Sequence, residues 1–271
     1  MPGLQRHAAV RRSSDRAAPL LVLAVWFGVA VVVTRVSIGH RHVLPVYPVL
    51  FIFAGGAGYW LARRAWAVMV LVLAMAGWMA VESAVIWPHD LAYFNQLVGG
   101  PKRGYLYLVD SSLDWGQDLP ALKRYLDEHV ADEENVYLSY FGTARPSYYG
   151  IEAQRLPGFM EWEGSKSPVP RTLQPGVYGI SATDLQGVYL AVAGGWTQAH
   201  ESEFRQFAQR FEDDAEWAAA SPGDRDRFEQ WLFARLCTYL RRRESDGWAG
   251  YSILIFRLSE RELAQAFSQE L

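Results

Sequence analysis

The sequence predicts an α-helical transmembrane segment of three spans followed by an extracytoplasmic α/β domain with a largely parallel sheet. Three observations carry that expectation. Charge is divided: up to Trp87 there are 8 Lys+Arg against 2 Asp+Glu, which leaves 18 against 27 of the chain totals of 26 and 29 for the remainder. Long apolar stretches are confined to the same N-terminal third. After Trp87, strand-like and helix-like patterns alternate, as they do in layered α/β domains. A basic, apolar third and an acidic remainder imply two environments for one chain.

The predicted order begins with residues 1–16, a basic N-terminus carrying Arg6, Arg11, Arg12 and Arg16. Residues 17–87 hold three apolar stretches: Ala17–Thr34, Val43–Ala62 and Ala65–Trp87. A hydrocarbon core of about 30 Å takes roughly 20 helical residues to cross; the second and third stretches reach that length and the first is borderline. Basic residues before the first stretch also suit a signal peptide. Its apolar run exceeds the usual h-region of about 7–15 residues, however, and two more stretches follow. Arg63 and Arg64 lie between the second and third stretches, so the positive-inside bias places them and the N-terminus in the cytoplasm. Arg35 and Arg41 on the opposite side weaken that bias without reversing it. Trp60, Trp66 and Trp87 stand at stretch ends, as interfacial aromatics do. Gly55, Gly56 and Gly58 would permit close helix packing. Glu82, near the outer end of the third stretch, reads as solvated more readily than as a functional intramembrane carboxylate. The chain is thus expected in the plasma (inner) membrane, multi-pass, with residues 88–271 outside.

In that external part, Tyr105–Asp110, Asn135–Phe141, Gly176–Ser181 and Gly250–Leu258 read as strands, rich in β-branched and aromatic residues. Leu119–His129, Glu203–Ala218 and Asp224–Arg243 carry apolar residues at helical spacing. Pro146–Leu173, rich in Pro, Gly, Tyr and Trp, reads as an irregular excursion. The acidic charge excludes a nucleic-acid footprint. Cys237 is the only cysteine, so neither an intramolecular disulfide nor a cysteine-based zinc site can be built.

Two segments concentrate polar chemistry. Asp110-Ser111-Ser112-Leu113-Asp114-Trp115-Gly116-Gln117-Asp118 runs from a predicted strand end to a predicted helix start, and open α/β sheets bind ligands beyond the carboxyl ends of their strands. Asp110, Asp114 and Asp118 could hold a divalent cation through oxygen ligands or accept from sugar hydroxyls. Trp115 could offer its face to a sugar ring, with Gln117 beside it. Asp118 equally suits the N-cap of the helix at Leu119, with Pro120 in its first turn. His40, Arg41 and His42 open the second apolar stretch. Arg recognises phosphate well, so they suit the phosphate of a lipid-linked donor; they also suit simple anchoring of a helix end. His89 and Asp90, at the junction, could reach a site there. No nucleotide-binding fingerprint is present.

GHRHVLPVYPVL, PHDLAYFNQLVGGPKRGYLYLVDSSLDWGQDLPALKRYL, GVYGISATDLQGVYL and GYSILIFRL together resemble the C-terminal portion of bacterial family-39-like (GT-C) membrane glycosyltransferases. These enzymes depend on polyprenyl-phosphate sugars and are related to protein O-mannosyltransferases and the lipid A aminoarabinose transferase. The resemblance covers most of the chain from about Gly39 onward. It implies many membrane helices, an external domain, and transfer of a sugar from a lipid carrier on the outer membrane face. The family's first external loop carries acidic catalytic residues. Here the corresponding loop, Arg35–His42, holds no Asp or Glu, so no catalytic residue is assigned by position. The expected function is a glycosyltransferase-related protein, a C-terminal part or shortened relative of such an enzyme, working with a lipid-linked sugar and a multi-span partner subunit. The alternative is a non-catalytic membrane-anchored module that presents its domain to a glycan or a protein.

Overall fold

A computed structural model describes residues 18–19, 22–23, 25–30, 33, 44–62, 66–159, 171–190, 192 and 195–268. It divides into two compact units, one ending at Trp87 and one beginning at Pro88.

In the first unit, helices α1 (Tyr47–Ala62) and α2 (Trp66–Ile86) are described. Among the described residues, only α2 is long and apolar enough to cross a membrane, and 6% of its apolar window is buried. The expectation of three spans is therefore corrected. Of the first stretch only 18–19, 22–23, 25–30 and 33 are described, with no unbroken helix long enough to cross a membrane among them. The second forms a helix of only 16 residues, about 24 Å long at 1.5 Å per residue and short of the ~30 Å hydrocarbon core. It begins only at Tyr47, with Leu44–Val46 in a 3-10 turn around Pro45, and Pro48 in the first turn of the helix is tolerated because an amide there has no partner within the helix,. A Cβ at Gly55 or Gly58 would meet nothing within 4 Å, so neither glycine is in close helix packing among the described residues. Glu82 is half-buried within α2.

The second unit is built on a five-stranded mixed sheet, which corrects the expected largely parallel one. Its strands are β1 (Val136–Ser139), β2 (Gln154–Arg155), β3 (Gly176–Ser181), β4 (Gly247–Ala249) and β5 (Ile253–Leu258), in the order β2-β1-β3-β5-β4. β1 runs parallel to both β2 and β3. β5 runs antiparallel to β3 and β4. The short link Gly250–Ser252 forces the reversal between β4 and β5, since a parallel crossover needs a dozen or more residues. Tyr105–Asp110, expected as a strand, pairs with no strand among the described residues. Pro101 instead opens a short helix, α3 (Pro101–Gly104). The amides of Leu106, Tyr107 and Leu108 close back onto the carbonyls of Arg103 and Gly104.

Both faces of the sheet are covered. Along β5, Ile253 and Ile255 pack toward α4 (Leu119–His129), with Leu119, Leu122, Leu138 and Val177. Leu254, Phe256 and Leu258 point the other way, as the period of two along a strand requires. There they meet α6 (Gln198–Arg210), α8 (Pro222–Leu240) and α9 (Glu260–Ser268). The expected long helix over Glu203–Ala218 is two helices, α6 and α7 (Asp214–Ala219). Asp213 breaks it by capping the second, its side chain accepting from the Ala215 amide at 2.8 Å. Ser221 caps α8 in the same way at Asp224, with Pro222 in the first turn. Phe228, Leu232, Phe233, Leu236 and Leu240 of α8 are all buried, each contributing about 1.5–3 kcal/mol.

Candidate functional site

The segment 110–118 lies against the carboxyl ends of the parallel strands β1 and β3. That placement arises without the predicted strand before it. The Asp110 amide donates to Thr183 Oγ1 (2.9 Å), just past β3 on the short helix α5 (Ala182–Leu185). Past β1, the Tyr140 hydroxyl donates to the Gly116 carbonyl (2.7 Å). Gly116, at φ +79°, and Gly142 pass so closely that a Cβ on either would fall within 2.3 Å of the Tyr140 hydroxyl oxygen. Only glycine fits both positions.

A pocket of about 290 Å³ opens here, lined by Asp110, Trp115, Phe141, Gly142, Thr143, Phe159 and Tyr189. Its rings are ordered against one another. Phe141 lies parallel to Tyr189 with centroids 5.9 Å apart, and Phe159 lies 4.2 Å from Tyr189. Trp115 is 66% exposed but braced. Its indole N–H donates to the Ser111 carbonyl (3.0 Å), and its amide to Gln117 Oε1 (2.8 Å). Gln117 in turn donates to the Leu113 carbonyl. Gln117 thus orients Trp115 and does not line the pocket. Asp110 has φ +57°, a left-handed conformation uncommon outside glycine,. It is held by Thr183 and by the Tyr189 hydroxyl, which donates to Oδ2 at 2.6 Å. That bond raises the Tyr189 pKa. Among the described residues, no Lys, Arg or His lines the pocket.

The other two expected carboxylates face inward. Asp118 Oδ2 accepts from the amides of Tyr251 and Ser252, both at 3.1 Å, and Oδ1 lies 3.3 Å from His89 Nδ1. It makes no side-chain cap on α4; it secures the β4–β5 turn instead. Gly250, at φ +59°, lies so close that a Cβ would be 2.0 Å from the Asp118 carboxyl carbon. Asp114 is wholly buried, with Oδ1 accepting from the Gly116 amide (2.8 Å) and Oδ2 without a hydrogen-bond partner among the described residues. Burial, followed by the charges of Asp118 and Asp184, pushes its pKa to about 7 against the pull of the Gly116 amide and the nearby Ser181 hydroxyl. Asp110, Asp114 and Asp118 therefore do not form one ligand set. Among the described residues, no group of three or more His, Cys, Asp or Glu side chains could hold a metal ion. His40, Arg41 and His42 lie outside the described residues. His89 belongs to the Asp118 contact and stacks edge-on against Tyr251.

The sequence reading missed Phe141, Phe159, Tyr189, Ser139 and Asp184. A signal for part of this group was available: Ser181-Ala182-Thr183-Asp184 follows the strand Gly176–Ser181 as directly as a strand-end ligand loop should. Asp184 is buried, taking the Phe159 amide at Oδ1 (3.3 Å) and the Ser139 hydroxyl oxygen at Oδ2 (2.9 Å). Burial raises its pKa to about 6. Compared with known proteins, the chain matches no family model, no curated protein and no solved structure.

Proposed function

We propose that the chain is a membrane-attached, glycosyltransferase-related protein, a C-terminal part or shortened relative of a polyprenyl-phosphate-sugar-dependent enzyme, whose domain binds the saccharide and does not itself perform the transfer. The pocket carries this reading. Braced aromatic faces beside one acceptor carboxylate suit the C–H faces and hydroxyls of a single sugar unit. A pocket with no Lys, Arg or His among its described lining residues is a poor site for the carrier's phosphate,. Two further carboxylates of the segment, Asp114 and Asp118, are buried, so they offer no facing acid and base to an entering glycoside. The catalytic carboxylates would then come from a multi-span partner in the same membrane. Helix α2, with Arg63 and Arg64 before it, supports attachment to a bacterial inner membrane with the domain outside.

The test uses the full chain in lipid nanodiscs, titrated with a panel of monosaccharides and one polyprenyl-phosphate sugar by calorimetry. At least one sugar should bind, and both Trp115→Ala and Asp110→Asn should weaken it about tenfold or more with an unchanged circular dichroism spectrum. Binding indifferent to both substitutions, or none across the panel, would falsify the reading. Sugar transfer by the reconstituted chain alone would overturn the division of labour.

A further inference from the structure

We propose that Asp184 is a positioning residue for the pocket: as a neutral acid it completes a donor chain, from Asp184 through Ser139 to the Pro157 carbonyl, that fixes the Phe159 wall. Ser139 Oγ lies 2.7 Å from the Pro157 carbonyl oxygen and 2.9 Å from Asp184 Oδ2. A carbonyl only accepts, and a hydroxyl has one hydrogen. When Ser139 gives that hydrogen to Pro157, its contact with Oδ2 is bonded only if Asp184 supplies a proton. The other carboxyl oxygen takes the Phe159 amide. Both ends of one carboxyl group therefore hold the same short segment, Pro157–Phe159. A Cβ at Gly158 would sit 3.0 Å from Asp184 Oδ2 and 3.2 Å from Ser139 Oγ, which shows how tightly that segment rests on the pair. Phe159 then reaches the pocket, 4.2 Å from Tyr189.

The surroundings favour the neutral form. Ser139 and Asp184 are at most 1% exposed. A buried carboxylate needs a cation or several donors, and among the described residues no cation pairs with Asp184. Among the described residues, the titratable groups around it are Asp114, from the segment before α4, and Cys237 of α8, whose Sγ lies 3.9 Å from the Asp184 carbonyl oxygen. Arg241, on the same helix, bonds to the Cys237 carbonyl and to Thr238. Burial places the Asp184 pKa near 6. Above that value the acid releases its proton, the Ser139 hydrogen turns to Oδ2, and the Pro157 carbonyl loses its donor. The Phe159 wall is then held at one point fewer, and saccharide affinity falls as pH rises.

This inference takes the pocket to be the saccharide site, so its test includes two readouts without sugar. In full-length chain in nanodiscs, infrared spectra should show a protonated-carboxyl band at acid pH that fades as pH rises through about 6 and is missing in Asp184→Asn. Asparagine reproduces every bond of the neutral acid: its amide N–H donates to Ser139 and its oxygen accepts from Phe159. Asp184→Asn should therefore keep the Phe159 amide protected from hydrogen exchange and bind sugar with no loss between pH values of about 5 and about 8. Asp184→Ala should expose that amide and weaken binding about tenfold at every pH. Asp114→Asn, which leaves Asp184 intact, should retain the band. If no band depends on Asp184, or if Asn and Ala behave alike in exchange, the proposal is overturned. If the band and the exchange pattern appear but no sugar binds, the donor chain stands and the pocket's assignment to saccharide fails.

Discussion

Asp110 and Asp118 end the same short segment, yet one opens to solvent and the other is sealed. Asp110 accepts from a single exposed tyrosine and lines a pocket. Asp118 is 2% exposed and carries two backbone amides and a histidine. Their residue type is identical, so the difference comes from what the chain brings up against them. The turn between β4 and β5 descends on Asp118, while the Asp110 carboxylate meets the Tyr189 hydroxyl and the Asp110 amide meets Thr183 Oγ1. A carboxylate with its lone pairs committed to amides stabilises the fold; one with an oxygen left over can receive a ligand.

The sharpest way to break this comparison is Asp118→Ala. It strands the amides of Tyr251 and Ser252 and removes the partner of His89, at a cost of about 3–5 kcal/mol. Urea unfolding of the second unit, followed by near-ultraviolet circular dichroism, measures it. A cost under about 1 kcal/mol would mean water replaces the carboxylate and Asp118 is not sealed.

Asp114 should show a smaller, pH-dependent effect. Its folded pKa of about 7 lies above the ordinary 3.8, so the folded state retains a proton that the unfolded chain releases. Its stabilising contribution is complete below the ordinary value and is lost as pH rises through about 7,. Asp114→Asn should flatten the corresponding slope, worth at most about 4 kcal/mol, in unfolding curves taken across that window. A slope unchanged by the substitution would place the titration elsewhere; Asp184, raised to about 6 in the same direction, is the next group to examine.

The legibility of the molecule follows the same division. Leu119–His129 and Gly176–Ser181 were readable to the residue because a helical stripe and a β-branched run are local signals. The order of strands was not, because antiparallel pairing of β5 depends on the short turn at Gly250–Ser252 and on which neighbour it meets. Tyr105–Asp110 misled because its alternating pattern fits a strand that has no partner. Of the segment's candidate ligand residues, Asp110 and Trp115 line a pocket while Asp114 and Asp118 are buried, a difference invisible in the sequence because burial is a tertiary property. Phe159 and Tyr189 reach the pocket from segments remote in sequence. A single chain offers no local pattern for that meeting.

The smallest expected change in stability is at Asp110, and it tests the open half of the comparison most directly. At φ +57° an aspartate carries modest strain,. Glycine at this position relieves it but adds freedom to the unfolded chain, two effects that nearly cancel to within about 0.5 kcal/mol. The Tyr189 hydroxyl, 42% exposed at its residue, returns to water when its acceptor is removed. Asp110→Gly should therefore unfold at nearly the same urea concentration as the parent while losing saccharide binding in calorimetry. A loss of stability comparable to that of Asp118→Ala would make Asp110 a structural carboxylate like its neighbour. The pocket would then have no group kept free for a ligand.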